Sequence, residues 1–223
     1  MSKTPTKLGR IRKTPHSKEK VVHLDRLASF EERTRTESPG PGTSSQKKPL
    51  CIIVEGNIGC RKTTFTKRFM ADPRVCTLLE PLNEYRNIAG VNLLELMYRD
   101  PDRFCYQFQN HVQQVMCDRH LQVTSLPVKN SALLIEALGL IVDLIVYLRV
   151  SPETSSARIS SRSREEEFGV SFELPRTLHE VHEEWLVIGK FSSLPASLPY
   201  PVMIIDAETS ADQVYNDLSI FTA

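Results

Sequence analysis

The stretch Val54–Thr64, "VEGNIGCRKTT", comes close to the phosphate-binding pattern G-x-x-x-x-G-K-[ST]. Gly56, Lys62 and Thr63 have the required spacing. In this pattern, backbone N–H groups surround a phosphate, the lysine reaches the outer phosphates, and the hydroxyl group is a ligand of Mg²⁺. The stretch therefore predicts a site for ATP, with Thr63 as the metal ligand. The competing interpretation is a chance glycine turn before a helix.

Arg61 stands where the pattern has its second glycine. A side chain at this position brings a Cβ atom toward the phosphates and strains a backbone geometry that glycine adopts freely. We therefore expect nucleotide binding to be weakened or lost. The residues predicted to bind the nucleotide are Gly56, Asn57, Ile58, Gly59, Cys60, Arg61, Lys62, Thr63 and Thr64.

The sequence around this loop alternates between strand and helix patterns. The apolar, β-branched run "PLCIIVEG" at 49–56 predicts a strand, and "KTTFTKRFM" at 62–70 has helical spacing. Two later runs, at 143–149 and 201–208, predict buried strands that are each followed by a helical pattern. This alternation predicts an α/β protein with a parallel sheet flanked by helices, the P-loop nucleoside-triphosphate-binding fold.

Opposite charges nearly cancel in this chain of 223 residues, which has 28 Lys and Arg against 27 Asp and Glu. Such a balance provides no field for binding a polyanion, so a small molecule is a better predicted partner than nucleic acid. No run approaches the ~20 uncharged apolar residues of a membrane helix, which predicts a soluble protein without a membrane partner. The five cysteines form no C-x-x-C pair, which is typical of reduced thiols inside a cell.

The first 48 residues differ in composition from the rest of the chain. They are rich in Lys, Arg, Ser, Thr and Pro, which predicts a disordered basic tail before a single domain at 49–223. The first eighteen residues carry many cations and no acid, as a mitochondrial targeting segment does, although Pro5 and Pro15 interrupt any amphipathic helix. A targeting segment and a solvated tail both fit this pattern.

From about Leu50 to the end, the chain resembles the deoxyribonucleoside kinase family, and most of all its mitochondrial thymidine kinase and insect deoxynucleoside kinase branches. The resemblance implies transfer of the ATP γ-phosphate to the 5′-hydroxyl group of a pyrimidine deoxynucleoside, with Mg²⁺, on a sheet of five parallel strands. The motifs that carry it, in order, are "IIVEGNIGC-KTT", "LLEP…YRN--GVNLLELMYRDP", "FQNHV", "DLIVYLR-SPE", "SREEE" and "LHEVHEEWL".

By this resemblance, Glu80 in "LLEP" matches the carboxylate beside the 5′-hydroxyl group and is the leading candidate for the general base. A helix cap or a solvated charge is the alternative role for Glu80. Glu136 resembles what is left of the family's E-R-S motif, and it is the second candidate for the base, although Ala137 replaces the arginine.

The nucleoside pocket is also implied by matching motifs. Gln109 matches the amide that pairs with the edge of the base. Tyr98, together with Glu167, matches the pair that binds the 3′-hydroxyl group. Tyr85 replaces the tryptophan that is usual in the pocket wall. Apolar residues at matching pocket positions, whose spacing suits core packing equally well, are Met97, Phe108, Val112 and Met116.

Three arginines, Arg158, Arg162 and Arg164, resemble the family's arginine-rich lid, of which Arg162 and Arg164 are the predicted catalytic members. An exposed helix with alternating charges is the other interpretation of "SRSREEE". His179 and His182 do not have the H-E-x-x-H spacing, so we do not predict zinc there.

A block of the family pattern is missing near 136–142. Two predicted parallel strands, around 133–135 and 144–148, are joined by a link too short for the usual crossover between parallel neighbours. We expect one of the two segments to leave its family position. The family commonly forms homodimers, but the missing block resembles the part that supplies the dimer helices, which makes a dimer doubtful here.

Two functions follow from these patterns. The first is an ATP-dependent pyrimidine deoxynucleoside kinase of nucleotide salvage in the mitochondrion or the cytoplasm. The second is an impaired kinase-like protein, or a truncated isoform, that at most binds a nucleoside or a protein partner. Arg61, Ala137 and the short link favour the second.

Overall fold

The computed structural model describes residues 50–125, 132–136, 142–162, 164–189 and 200–210. The predicted tail and Ala137 lie outside the described residues. The strands are β1 (Leu50–Glu55), β2 (Val75–Leu78), β3 (Ala132–Glu136), β4 (Leu144–Arg149) and β5 (Val202–Asp206). The helices are α1 (Lys62–Arg68), α2 (Leu82–Tyr85), α3 (Leu93–Arg99), α4 (Pro101–Ser125), α5 (Pro152–Arg162) and α6 (Glu173–His182), with 3₁₀ turns at Phe69–Ala71 and Glu165–Glu167 and a π-helical turn at Glu183–Val187.

The five strands form one sheet in the order β2-β3-β1-β4-β5, and all of the neighbouring pairs are parallel. This arrangement confirms the predicted parallel sheet of an α/β fold. Strand β1 lies in the middle, and the loop that follows it begins at the carboxyl edge, where parallel α/β sheets place their ligand sites. The sequence pattern thus predicted the sheet, and the strand order puts the candidate loop at its carboxyl edge.

Strand β4 explains why the core lies on both faces of the sheet. Val146 and Leu148 pack into a cluster with Phe65 of α1, whereas Ile145 and Tyr147, which alternate with them, pack on the opposite face. All four strand residues are buried. A strand that is covered on both faces has a continuous apolar sequence, and this is the pattern from which β4 was predicted.

Helices α3 and α4 begin with recognisable local signals. The Asn92 side chain accepts a hydrogen bond from the Glu95 backbone N–H group at 3.1 Å and so caps α3. Pro101 opens α4, a position where its missing N–H group costs nothing and its fixed φ angle suits the helix. The apolar stripe of α4 packs beside β1 and β2 through Phe108, Val112 and Met116.

The expectation that one strand leaves its place at the short link is wrong. β3 and β4 are not neighbours, because each pairs with a different edge of β1. In the register of the sheet, the end of β3 at Glu136 pairs with Val54, and the start of β4 at Leu144 pairs with Ile52. The link therefore returns by only about two residues along the strand direction. It also crosses β1, a distance of two strand spacings of ~4.8 Å each. The link of residues 137–143 can span up to ~25 Å when extended, which is enough for both strands to pair.

Asp143 connects the start of β4 to β1 through two hydrogen bonds. Its backbone N–H group donates to the Cys51 carbonyl at 2.8 Å, and its carboxylate accepts from the Cys51 N–H group at 2.8 Å. The side chain thus holds β4 in register at the point where the short link ends.

Replacing Asp143 with Ala should lower the free energy of unfolding by about 1.5–3 kcal/mol, the range for a hydrogen bond to a charged group. Chemical denaturation of both forms measures it. Asp118→Ala, at an exposed position on α4, is the matched control and should change stability by about 0.5 kcal/mol or less. Equal denaturation midpoints for Asp143→Ala and the unmodified protein would contradict this assignment.

Candidate active site

The loop between β1 and α1 is closely packed at two glycines. A Cβ atom on Gly56, whose φ is +146°, would lie 2.6 Å from the Leu148 carbonyl oxygen and 2.7 Å from the Cys60 sulfur. A Cβ atom on Gly59, whose φ is +80°, would lie 2.9 Å from the Ser155 carbonyl oxygen. The loop can therefore fold between β4 and α5 only with glycine at these positions.

The Lys62 side chain lies inside this loop and binds its backbone. Its ammonium group donates hydrogen bonds to the carbonyl oxygens of Gly56, at 2.6 Å, and Asn57, at 3.3 Å. Asn57 is buried, and its side chain donates to the Pro175 carbonyl at 2.7 Å. A loop folded around a lysine ammonium group, at the start of a helix, fits the phosphates of a nucleotide. Thr63 is the next helical residue, and Thr64 is exposed.

Arg61 has a left-handed backbone conformation, with φ 74° and ψ 27°, directly before α1. The predicted strain is therefore present, because this conformation is unfavourable for a residue with a Cβ atom. The guanidinium group turns away from the loop and donates to the Thr209 carbonyl at 3.1 Å. The backbone thus keeps the geometry that glycine provides elsewhere, and the side chain binds the loop after β5.

Two carboxylates lie at the same edge of the sheet, because Glu55 is the last residue of β1 and Glu80 follows β2. Burial raises the pKa of Glu55, and the negative charge of Glu80 adds to this rise. The positive charge of Lys62 and a hydrogen bond from the Gly56 backbone oppose it. Glu55 is thus coupled electrostatically to both Lys62 and Glu80. A half-buried acid with a raised pKa is suited to accept a proton.

The predicted sugar-binding pair and the lid arginines form one group. Glu167 is buried and accepts hydrogen bonds from Arg162, at 2.6 Å from Nε to Oε2, and from Arg164, at 3.5 Å from Nη1 to Oε1. Burial raises the pKa of Tyr98 to about 12, and the charges of Glu167 and Glu80 add to the rise while Arg162 opposes it. The structure thus couples Tyr98 to Glu80 and to the segment 162–167, which lies far from both in the sequence.

The predicted apolar pocket residues also lie together. The Tyr85 ring packs edge-on against the Phe108 ring, with centroids 5.5 Å apart and planes at 82°. The cluster that contains this pair includes the further predicted residues Met97, Tyr98, Val112 and Met116. The cluster fits both the predicted pocket and ordinary core packing.

Three predicted residues have other positions. Gln109 is exposed on α4, next to the buried Phe108. Arg158 lies apart from the lid group and donates to the carbonyl oxygens of Ala207, at 2.9 Å, and Glu208, at 3.3 Å. Glu136 ends β3 level with Val54, and its side chain lies outside the described part of the structure.

Comparison with known proteins agrees with this geometry. A family model described as deoxynucleoside kinase matches residues 52–137 and 130–220. The chain belongs to the deoxynucleoside kinase family. It is similar to the human (Homo sapiens) mitochondrial thymidine kinase 2, with 32% identity over 203 aligned positions, and the alignment covers 76% of this chain and 75% of that protein.

Two further similar proteins of this kinase family have names that refer to deoxycytidine. A probable deoxycytidine kinase of Fowlpox virus (strain NVSL) is 29% identical, with 60% of this chain and 71% of that protein covered. The deoxycytidine kinase of Mus musculus is 26% identical, with 75% and 88% covered. The similarity thus extends over most of each protein.

The family model matches this chain in two segments, and the boundary between them lies near the short link. Its two segments overlap at residues 130–137, directly before and within that link. The alignment with the human protein has 203 positions, but it includes only 76% of this chain, which is about 170 residues. Roughly 33 of the aligned positions are therefore gaps in this chain. The loss of a block from the kinase pattern near 136–142 stays a prediction.

Sequence reasoning missed two residues of this candidate site. Glu55 was quoted within the loop motif without a role, although a carboxylate directly before a phosphate-binding loop is a usable signal. His182 lies with its Nε2 atom 4.0 Å from Glu55 Oε2, and no sequence pattern indicates this contact. In the described parts of the chain, no group of three or more His, Cys, Asp or Glu could hold a metal ion, and no helix is long and apolar enough to cross a membrane.

Replacing Arg61 with Gly should strengthen ATP binding by up to about tenfold, because the cost of a left-handed residue with a Cβ atom is about 1–2 kcal/mol and glycine lets the loop adapt to the phosphates. Calorimetric titration measures it. Arg61→Ala is the matched control, because it removes the guanidinium group but keeps the Cβ atom, and it should not strengthen binding. Equal affinities for the Gly and Ala forms would show that backbone strain does not limit binding.

Proposed function

We propose that this protein is a kinase that transfers the γ-phosphate of ATP to the 5′-hydroxyl group of a pyrimidine deoxynucleoside such as thymidine, a reaction of nucleotide salvage. The observation that carries the proposal is a set of side chains that are coupled electrostatically. Lys62 and Glu80 act on the pKa of Glu55, and Glu80 and Glu167 act on the pKa of Tyr98. Lys62 suits phosphates, Tyr98 and Glu167 suit a sugar hydroxyl group, and the two other acids are coupled to these residues.

ATP and Mg²⁺ are the proposed cofactors, held by the loop after β1. Gly56 and Gly59 allow the backbone to fold closely there, and Lys62 is the cation that would exchange its two carbonyl partners for phosphate oxygens. Thr63 is the proposed Mg²⁺ ligand. When bound, Mg²⁺ neutralises charge on the phosphates. The close packing of the loop and its central lysine support this fit, and Arg61 is the residue that departs from it.

We propose that Glu55 is the general base that accepts the proton of the 5′-hydroxyl group. Burial raises its pKa, which favours the form that has taken up a proton, and Lys62 lies beside it. Glu80, the base predicted from the sequence, is close enough to raise the pKa of Glu55 and is the competing candidate. Like charges that share a site separate the pKa values of two acids, so the two residues have different roles in this proposal.

On the nucleoside side, Tyr98 and Glu167 are proposed to bind the 3′-hydroxyl group. Gln109 is proposed to orient the base through a paired donor and acceptor, as suits a pyrimidine ring. The apolar walls are the aromatic pair Tyr85 and Phe108 and the further residues Met97, Val112 and Met116.

Arg162 and Arg164 are proposed to neutralise charge on the transferred phosphoryl group. Both arginines bind Glu167, so the residue proposed for the sugar also positions the cations proposed for the phosphate. This shared contact would link correct sugar binding to the placement of the lid. The human relative is named as mitochondrial, which supports the mitochondrion, with the cytoplasm as the other proposed location.

Glu55→Gln should lower the single-turnover rate of thymidine phosphorylation by about 10²-fold or more, the lower end for loss of a positioned general base, and should leave thymidine binding almost unchanged. Glu80→Gln and Glu136→Gln are tested beside it. A larger loss in either of these two than in Glu55→Gln would move the role of the base to that residue.

The second candidate function is an impaired kinase-like protein that binds a nucleoside without efficient turnover. The strained Arg61 and the link of residues 137–143 favour it, because a connection of this length cannot include the helix that normally covers a parallel crossover.

A form with a family-like E-R-S block and helical crossover after Glu136 should have a higher melting temperature and faster thymidine phosphorylation, because the added helix covers the sheet. Thermal melting and turnover are compared with those of the unmodified chain, and an insert of the same length made of Gly and Ser is the control. Equal melting temperatures and equal turnover in all three forms would contradict the impaired function.

A further inference from the structure

Arg86 joins two segments that lie 80 positions apart in the sequence. It follows α2, and its Nε atom donates to Glu166 Oε1 at 3.0 Å, while Nη2 donates to the same oxygen. Glu166 is the middle residue of the 3₁₀ turn Glu165–Glu167, which we call the lid turn. The guanidinium group is held in place, because its Nη1 atom donates to Asn83 Oδ1 at 3.1 Å. Two hydrogen bonds thus connect the end of α2 to the lid turn.

This ion pair is partly buried and differs from an ordinary surface contact. The Glu166 side chain is 9% exposed, and the Arg86 side chain is 34% exposed. Two donors on one carboxylate oxygen, partly shielded from water, make a stronger contact than an exposed pair, which contributes little. Burial opposes ionisation of Glu166, but hydrogen bonds from Arg86 and the backbone, with the charges of Arg86 and Arg164, hold its pKa below the usual value. The ionised carboxylate is thus the form that binds Arg86.

The lid turn also carries the residue proposed to bind the sugar. Glu167, next to Glu166, is buried and holds both lid arginines, Arg162 and Arg164. The Glu167 N–H group donates to the Arg164 carbonyl at 3.0 Å and closes the turn. Neighbouring residues of one short, closed turn move together, so a contact that fixes Glu166 also fixes Glu167.

The other end of the contact belongs to the segment that supplies a wall of the proposed nucleoside pocket. Tyr85, the residue before Arg86, is buried and packs edge-on against Phe108 of α4. Glu84, one residue earlier, binds Arg119 of α4. Two consecutive residues therefore fix α2 on α4, and the third extends from this fixed position to the lid turn.

We propose that Arg86 is a positioning residue, which holds the lid turn through Glu166 so that Glu167 meets the 3′-hydroxyl group of the sugar and the lid arginines meet the transferred phosphoryl group. A base packed against Tyr85 and a lid turn in its closed position then favour each other, because Tyr85 and Arg86 are adjacent in the chain. Arg86 acts only through Glu166. The inference rests on the proposed function, from which it takes the roles of Glu167 and the arginines.

Hydrogen exchange tests the contact without any enzyme assay. Arg86→Met keeps an aliphatic side chain and loses the guanidinium group. It should speed exchange of the hydrogen-bonded amides within residues 164–170 by about tenfold or more, because opening of the turn no longer breaks two hydrogen bonds to a carboxylate. Arg74→Met, which removes an exposed ion pair with Asp72 before β2, is the matched control and should leave this exchange unchanged. Unchanged exchange at 164–170 in Arg86→Met overturns the inference.

A substrate analogue separates positioning from general support of the fold. If Arg86 places Glu167 at the 3′-hydroxyl group, Arg86→Met should reduce the preference for thymidine over 3′-deoxythymidine, measured as the ratio of their kcat/KM values, by about tenfold or more. A residue that only supports the fold would lower both values equally. Arg86→Lys keeps the charge but not the forked pair of donors, and it should recover only part of the preference.

A double-mutant cycle shows whether Arg86 acts through Glu166. Glu166→Gln keeps the shape of the side chain and removes its charge, so it should reduce the preference as Arg86→Met does. The double variant should be no worse than either single variant, because both changes break the same contact. Losses that multiply in the double variant would show that Arg86 acts by another route and would overturn the inference.

The outcomes distinguish this inference from the proposed function. Absence of thymidine phosphorylation in the unmodified protein would overturn the proposed function, and the exchange comparison would still decide whether Arg86 holds the lid turn. Faster exchange at 164–170 with an unchanged preference for thymidine would show a contact that only supports the fold, and would overturn the positioning role.

Discussion

The pairing of β1 on both of its edges organises this protein. β3 occupies one edge and β4 the other, and Asp143 extends the second pairing by binding both backbone groups of Cys51. Because β1 is fixed on both sides, the loop that follows it begins at a defined point. Gly56 then packs against the Leu148 carbonyl so closely that a Cβ atom cannot be accommodated. The phosphate-binding loop is thus a consequence of how the sheet is paired.

The same edge of the sheet concentrates opposite charges in a small space. Lys62 lies beside Glu55, and the buried Glu167 is bound by two arginines. Burying a carboxylate is costly unless cations or hydrogen bonds compensate for the lost hydration. Glu167 has this compensation from Arg162 and Arg164, whereas the pKa of Glu55 is raised. The different surroundings of these two acids support different roles, one in positioning and one in proton transfer.

The short link between β3 and β4 shows where reasoning from length alone fails. The spacing of apolar runs located both strands, but it also suggested that they could not both pair. Strand order decided otherwise, because β1 lies between them and the register shortens the return path to about two residues. Neither the order of strands nor their register can be read from local periodicity, since both arise from contacts between distant parts of the chain.

Local patterns in the sequence were enough to predict the α/β class, the loop after β1, the strain at Arg61 and the candidate role of Glu167 together with Tyr98. Each of these follows from spacing, from the backbone freedom of glycine or from motifs shared with the family. The tertiary structure decided which of these residues meet. It separated Arg158 from the lid, placed Glu55 beside Lys62, and brought His182 to that acid through a π-helical turn and a ring stacked on Tyr147. The physical reason is that burial and charge coupling act through space, so Lys62 acts on the pKa of His182 although the two residues lie far apart in the sequence.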